Sequence, residues 1–327
     1  MFAHPLRQIL IISGGLFTLL LCIAAPLFTY MVSLAFFGLP HVLSELRYVS
    51  YRFSAHFPQK WIISTGLGLA TIVLTRIASW LHFFSADMGR VIELWIVGYL
   101  MVIALLWLGK EKWWLSGLLA IFAYCIRVDP LTTSIAFAVL HNFTPIGFLS
   151  EALKGKEKQW AWLGSVLVFV VIPLLILSGI PTNFLQSLRL LHLEYTPFHG
   201  GYLASFFKVY VPPLWQPFPE LALLLFTSCV WAQCVHYAVV IHLLPRLKPS
   251  DNEFSLHSQK GQKKWPWILV FIGLISGLSF MYDFGTSKRI YGLFAAVHAW
   301  IEVPLLLAVL LTPRPKPTKL ISDPFSE

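Results

Sequence analysis

Two His-x-x-x-Glu pairs, His41 with Glu45 and His298 with Glu302, stand inside long apolar runs. On a helix, positions four apart share one face about a turn apart, so each pair can grip one ion or pass one proton. Placing an ionisable group in bilayer hydrocarbon costs roughly 2.5 to 3.5 kcal/mol even on the mildest scale, so each of these residues calls for a partner or a function. His141, His236 and His242 lie in other apolar runs. Several imidazoles with one or two carboxylates suit iron, zinc or copper, whereas hard ions such as magnesium want mostly oxygen. Iron comes first, because a mixed histidine and carboxylate shell with open positions is how non-haem iron handles dioxygen. On this reading His41, His141, His236 and His298 are metal ligands. Glu45 and Glu302 are the catalytic carboxylates, which ligate, orient the imidazoles or relay protons.

The elements that must position them are membrane helices. Of the 327 residues 57% are hydrophobic and 12% charged, whereas a soluble domain carries roughly 25% charge. The expected fold is all-α: a polytopic integral membrane bundle of about ten transmembrane helices in one domain over 1–312, with a disordered, proline-rich cytoplasmic tail over 313–327. The spans are placed at 9–24, 27–49, 61–80, 91–108, 113–126, 131–149, 160–180, 220–244, 265–281 and 290–311. Of the 24 Lys and Arg, about 17 fall on the side that receives Arg7 and about 7, Arg76 among them, on the other. The positive-inside rule makes the first side cytoplasmic, with both termini there. The net charge of +9 therefore sets orientation and gives no nucleic-acid signal. The cysteines, Cys22, Cys125, Cys229 and Cys234, form no C-x-x-C pair and read as buried small hydrophobes.

The chosen histidines all fall on spans of one direction. At 1.5 Å per residue, His141 and His298 lie roughly 15 Å from the outer boundary, His41 about 20 Å and His236 about 25 Å, so one inner layer can hold all four, with His242 nearer the interface. Pro40 predicts a kink before His41, Pro145 frees the carbonyl of His141, and Pro304 frees that of Trp300. Simpler roles compete: packing for a single histidine, and for Glu45 an interfacial pair with Arg47 or Arg52. Glu302 has no basic neighbour in sequence. His192, Glu194 and His199 read as solvated, Asp87, Asp129 and Asp283 as caps or turns, and Gly273-x-x-x-Gly277 matches a common close-packing motif. The outer loop 181–219 is apolar enough to lie on the membrane surface as an interfacial helix. The basic loop 245–264 reads as a surface connection that can touch anionic headgroups.

At Gly38-Leu-Pro-His41 the chain distantly resembles the Brp/Blh family, membrane carotenoid oxygenases that cleave β-carotene to retinal and are thought to bind iron. The match is strict over these four residues, with an acidic residue after them and further histidines on later spans. It implies His41 as a ligand, with His141, His236 and His298 as the others. The departures are Val42 where a glycine is usual, Glu45 in place of an earlier aspartate, and Val240 where a second histidine would follow His236. A relative acting on another isoprenoid or on a lipid fits the same residues. The expected protein is thus a multi-pass oxidoreductase of the cell inner membrane or an internal membrane, with non-haem iron, membrane lipids around it and a hydrophobic small molecule as substrate. A transporter of protons, metal ions or small solutes using the same His and Glu residues is the alternative, and a haem carrier a third.

Overall fold

The computed structural model describes residues 5–53, 57–199, 202–247 and 264–311, with backbone alone at 5–8, 110 and 111. The tail 313–327, most of the basic loop, Gly200 and Gly201 lie outside the described residues. The described chain is all-helical, with no strand. In order come α1 (Pro5–Ala24), α2 (Pro26–Phe53), α3 (Gln59–Trp80), α4 (Ala86–Leu108), α5 (Ser116–Val128), α6 (Pro130–His141) and α7 (Thr144–Ala152). They are followed by α8 (Gly155–Leu177), α9 (Ile180–Ser187), α10 (Leu203–Tyr210), α11 (Pro219–Arg246), α12 (Trp265–Tyr282) and α13 (Phe284–Leu311). Among the described residues, the 7 helices α2, α3, α4, α8, α11, α12 and α13 are long and apolar enough to cross a membrane.

The other three expected spans fall outside this set. The first is α1, of which Ile9–Ala24 is described with side chains, and the fifth is α5, with 13 residues. The sixth is divided between α6 and α7 by a turn at Asn142 and Phe143. Proline explains that division. Pro145 has no N–H to give to the His141 carbonyl, and the Thr144 hydroxyl donates to it instead at 2.7 Å. The expected freed carbonyl is therefore present and is claimed by a neighbouring side chain. α2 and α13 run on through Pro40 and Pro304 without interruption.

Burial identifies the centre of the bundle. Of the most apolar stretch of each helix, 67% is buried in α2 and 61% in α11, against 17% in α8, so α2 and α11 form the interior and α8 the periphery. The polar residues His41, Ser44 and Glu45 lie on the buried face of α2, where burial would be costly without polar company. The two glycines of Gly273-x-x-x-Gly277 bring α12 against α2. A Cβ on Gly273 would sit 2.6 Å from the Phe36 carbonyl oxygen, the one Pro40 leaves without its helical donor, and a Cβ on Gly277 would overlap the Phe36 ring. The motif is thus a true close approach, and it braces α2 one turn before His41.

Of the aspartates at helix ends, Asp129 and Asp283 behave as caps, while Asp87 sits in a first turn capped by Ser85. Asp129 accepts from Thr132 N at 2.9 Å and Thr132 Oγ1 at 2.6 Å, Asp283 accepts from Thr286 N at 3.1 Å, and Asp87 pairs with Arg90 at 2.7 Å. The loop 181–219 does more than rest on a surface. Its α10 buries Leu203, Phe206, Phe207 and Tyr210, with Phe206 against Tyr30 and Phe284 and Phe207 against Phe226. It therefore folds over the ends of α2, α11 and α13. Three aromatic side chains in one short helix supply enough apolar area to make that burial favourable.

Candidate metal centre

Four helices each deliver a histidine to one point. His41 comes from α2, His141 from the last position of α6, His236 from α11 and His298 from α13, each with a ligand atom within 4.8 Å of the others. Glu45, His298 and Glu302 form a second set of the same tightness that shares His298. All six residues singled out in the sequence are therefore neighbours. His242 and the trio His192, Glu194 and His199 are exposed and outside both sets. α13 starts at Phe284 and not near 290, and α2 at Pro26, so His298 and His41 stand at similar depths, 14 and 15 residues from the starts of their helices.

Hydrogen bonds fix which ring nitrogens point inward. His41 Nδ1 lies 3.2 Å from the Phe37 carbonyl, which can only accept, so Nδ1 carries the proton and Nε2 the lone pair. His141 Nδ1 lies 2.7 Å from Glu302 Oε2, and donation to that carboxylate likewise turns its Nε2 lone pair inward. Both Nε2 atoms converge on His298 Nε2, at 3.0 Å from His41 and 3.1 Å from His141. Ligands about 2.0 to 2.1 Å from a shared ion stand roughly 3.0 to 3.4 Å apart when adjacent. Holding the second nitrogen of each imidazole on a carbonyl or carboxylate is how proteins orient metal-binding histidines.

The remaining atoms are short of partners. Neither oxygen of Glu45 and neither ring nitrogen of His236 is hydrogen-bonded, although both residues are buried and His236 Nε2 is 3.7 Å from Glu45 Oε2. Glu302 Oε1 is also left without a bond. Buried polar atoms are nearly always satisfied, so a group of orphans around converging lone pairs fits a cation. The donor set of imidazoles and carboxylates suits a transition metal.

The simpler role weighed for Glu45 is not adopted. Arg52 makes a two-point pair with Glu151, at 2.8 and 3.1 Å, and Arg47 stacks over the Trp265 ring at 4.2 Å. Around the centre, Tyr237 stacks on His41 with ring centroids 4.0 Å apart, and its hydroxyl meets that of Tyr291 at 3.4 Å. Tyr291 also packs where a Cβ on Gly38 would lie, which gives the glycine of Gly38-Leu-Pro-His41 a steric reason. The site is not sealed evenly: the His141 side chain is 16% exposed, whereas His41, His236 and His298 are at 1% or less.

Sequence reasoning passed over Glu93 and Arg76. Arg76, counted with the outer loop, lies inside α3 and grips Glu93 of α4 at 2.8 and 2.5 Å. Glu93 Oε1 also accepts from Trp300 Nε1 at 2.5 Å, two residues beyond His298. The signal was available, since Glu93 is a carboxylate within an apolar run, judged by the same rule that drew attention to Glu302. No known protein family, curated protein or solved structure matches the chain, so the functional reading rests on these side chains.

Proposed function

We propose that this chain is a multi-pass membrane protein that binds a transition metal, iron first, through His41, His141, His236 and His298, and oxidises a hydrophobic substrate reaching it from the lipid. The observation that carries the reading is the convergence of three Nε2 atoms at 3.0 and 3.1 Å beside carboxylates with unbonded oxygens. Bound iron would supply dioxygen activation. The protein's own part is to hold the His41 and His141 imidazoles in one tautomer, through Phe37 O and Glu302 Oε2, and to place the Glu45 carboxyl where it can exchange a proton. Tyr237 and Tyr291 keep the His41 side closed, and the break between α6 and α7 beside His141 offers the approach for a substrate dissolved in the bilayer.

The topology that accompanies this function has ten crossings with both termini cytoplasmic, in a cell inner membrane or an internal one. The combined lengths of α5 with the 3-10 turn Lys110–Leu115 before it, and of α6 with α7, come to about 30 Å each, which supports counting them as crossings. The resemblance to the Brp/Blh family makes carotenoids the first substrates to try, followed by other isoprenoids and lipids. The test is oxygen uptake and loss of polyene absorbance by ferrous-loaded protein in lipid nanodiscs. Uptake that depends on both polyene and His298 supports an oxygenase; metal-loaded protein inert towards polyenes, isoprenoids and lipids alike rules it out. A transporter is the second reading, favoured by the unbonded Glu45 oxygens close to Glu302. It predicts proton or metal flux into proteoliposomes that Glu45→Gln abolishes.

A further inference from the structure

The geometry points to Arg76 and Glu93 as positioning residues for the metal centre, acting through Trp300 on His298 and Glu302. The inference rests on the metal reading of that centre. Four contacts compose the device. The Arg76 guanidinium holds both oxygens of Glu93, donates to the Gly292 carbonyl, and Glu93 in turn accepts from Trp300 Nε1. Gly292 and Trp300 are both on α13, about 12 Å apart along its axis, and His298 lies between them. One ion pair on α3 and α4 therefore grips α13 on either side of a candidate ligand.

The grip falls beside a missing helical bond in α13. Pro304 cannot donate to the Trp300 carbonyl, so the turn from Trp300 to Pro304, which carries Glu302, lacks one of its helical hydrogen bonds. Trp300 is the side chain that opens this turn of the otherwise continuous helix. Its indole is held by Glu93 on one side and packs on Phe137 at 5.7 Å on the other. Phe137 is one turn before His141 on α6, so the same indole relates His298, Glu302 and His141. A partly buried ion pair is a poor way to gain stability, since desolvation offsets much of its attraction, but it is a good way to fix one register among packed helices.

The test uses full-length protein in detergent with 15N-labelled histidine, together with iron and zinc titrations. Trp300→Phe keeps the ring on Phe137 and removes only the N–H; Glu93→Gln keeps shape and removes charge. Glu151→Gln, in the ion pair with Arg52, serves as a control for loss of a buried pair. The expected result is that Trp300→Phe moves the His298 ring signals of the metal-free protein, identified by their loss in His298→Ala, and weakens metal binding about tenfold. The control leaves both where they were. Unmoved His298 signals in Trp300→Phe and Glu93→Gln, or equal changes in the Glu151→Gln control, would overturn the positioning role. Failure of the wild type to take up either metal would instead remove the metal reading, and the histidine signals would still decide whether Arg76 and Glu93 set the cluster's geometry.

Discussion

Two buried polar clusters share α13, and they are built on opposite principles. In the Arg76–Glu93–Trp300 group the donors and acceptors meet: both Glu93 oxygens are bonded, and the indole N–H and the guanidinium have partners. In the histidine cluster, scarcely a turn away, both Glu45 oxygens and both His236 ring nitrogens are without a close hydrogen-bond partner, and three imidazole Nε2 atoms crowd together. Both clusters bear the cost of burying polar atoms. Only the first recovers it within the chain. A polar group that serves architecture is paired by architecture, whereas one kept for a ligand is paired when the ligand arrives.

Substitutions can break this contrast. The largest effect belongs to Glu93→Leu, which leaves the Arg76 guanidinium without its carboxylate: about 3 kcal/mol of stability is lost, read as a fall in unfolding temperature of the metal-free protein in detergent. Gly277→Val, which drives a side chain into the Phe36 ring, costs about 2 kcal/mol by the same measurement and loosens α2 at His41. Asp129→Ala, which removes the cap of α6, costs about 1 kcal/mol.

A pH series sharpens that third case. The hydrogen bonds from the Thr132 hydroxyl and backbone N–H hold the Asp129 carboxyl below its ordinary value. A carboxylate depressed in the folded state stabilises fully above its unfolded pKa of about 3.9, and the contribution fades as pH falls through the lower folded value. Wild type and Asp129→Ala should therefore differ in unfolding temperature at pH 6 and converge as the solution is acidified below about pH 4.

The smallest effect is the most telling. Glu45→Gln exchanges an unbonded carboxyl for an amide of the same shape and should leave the metal-free protein as stable as the wild type, within about 0.5 kcal/mol, or slightly more stable. A loss as large as that of Glu93→Leu would mean that Glu45 is paired within the fold, and the contrast would fail.

Much of this was legible in the chain. The helical class and most helix limits follow from apolar runs bounded by Trp, Lys and Pro, because bilayer thickness fixes span length and backbone groups must be satisfied internally. The six site residues were legible for the same reason: His or Glu in an apolar run is rare enough to mark itself. What could not be read was contact between distant helices. Arg76 looked like a loop charge because hydropathy sees composition and not the Glu93 carboxylate seventeen residues on, across the α3–α4 turn. The aromatic face of α10 resembled an interfacial helix because the same residues suit a membrane surface and a bundle end. The close packing at Gly273 and Gly277 needed Phe36 from α2 before a common motif became a specific one.

The central claim is that the orphaned atoms await a metal. It is tested most directly by metal content, measured by mass spectrometry on gently purified protein, wild type beside His41→Ala and His298→Ala, after exposure to iron and to zinc. The account predicts about one or two metal ions per chain in the wild type and loss of most of that metal in both variants. Folded wild-type protein that stays metal-free under those conditions, or variants that keep their full complement, would contradict it.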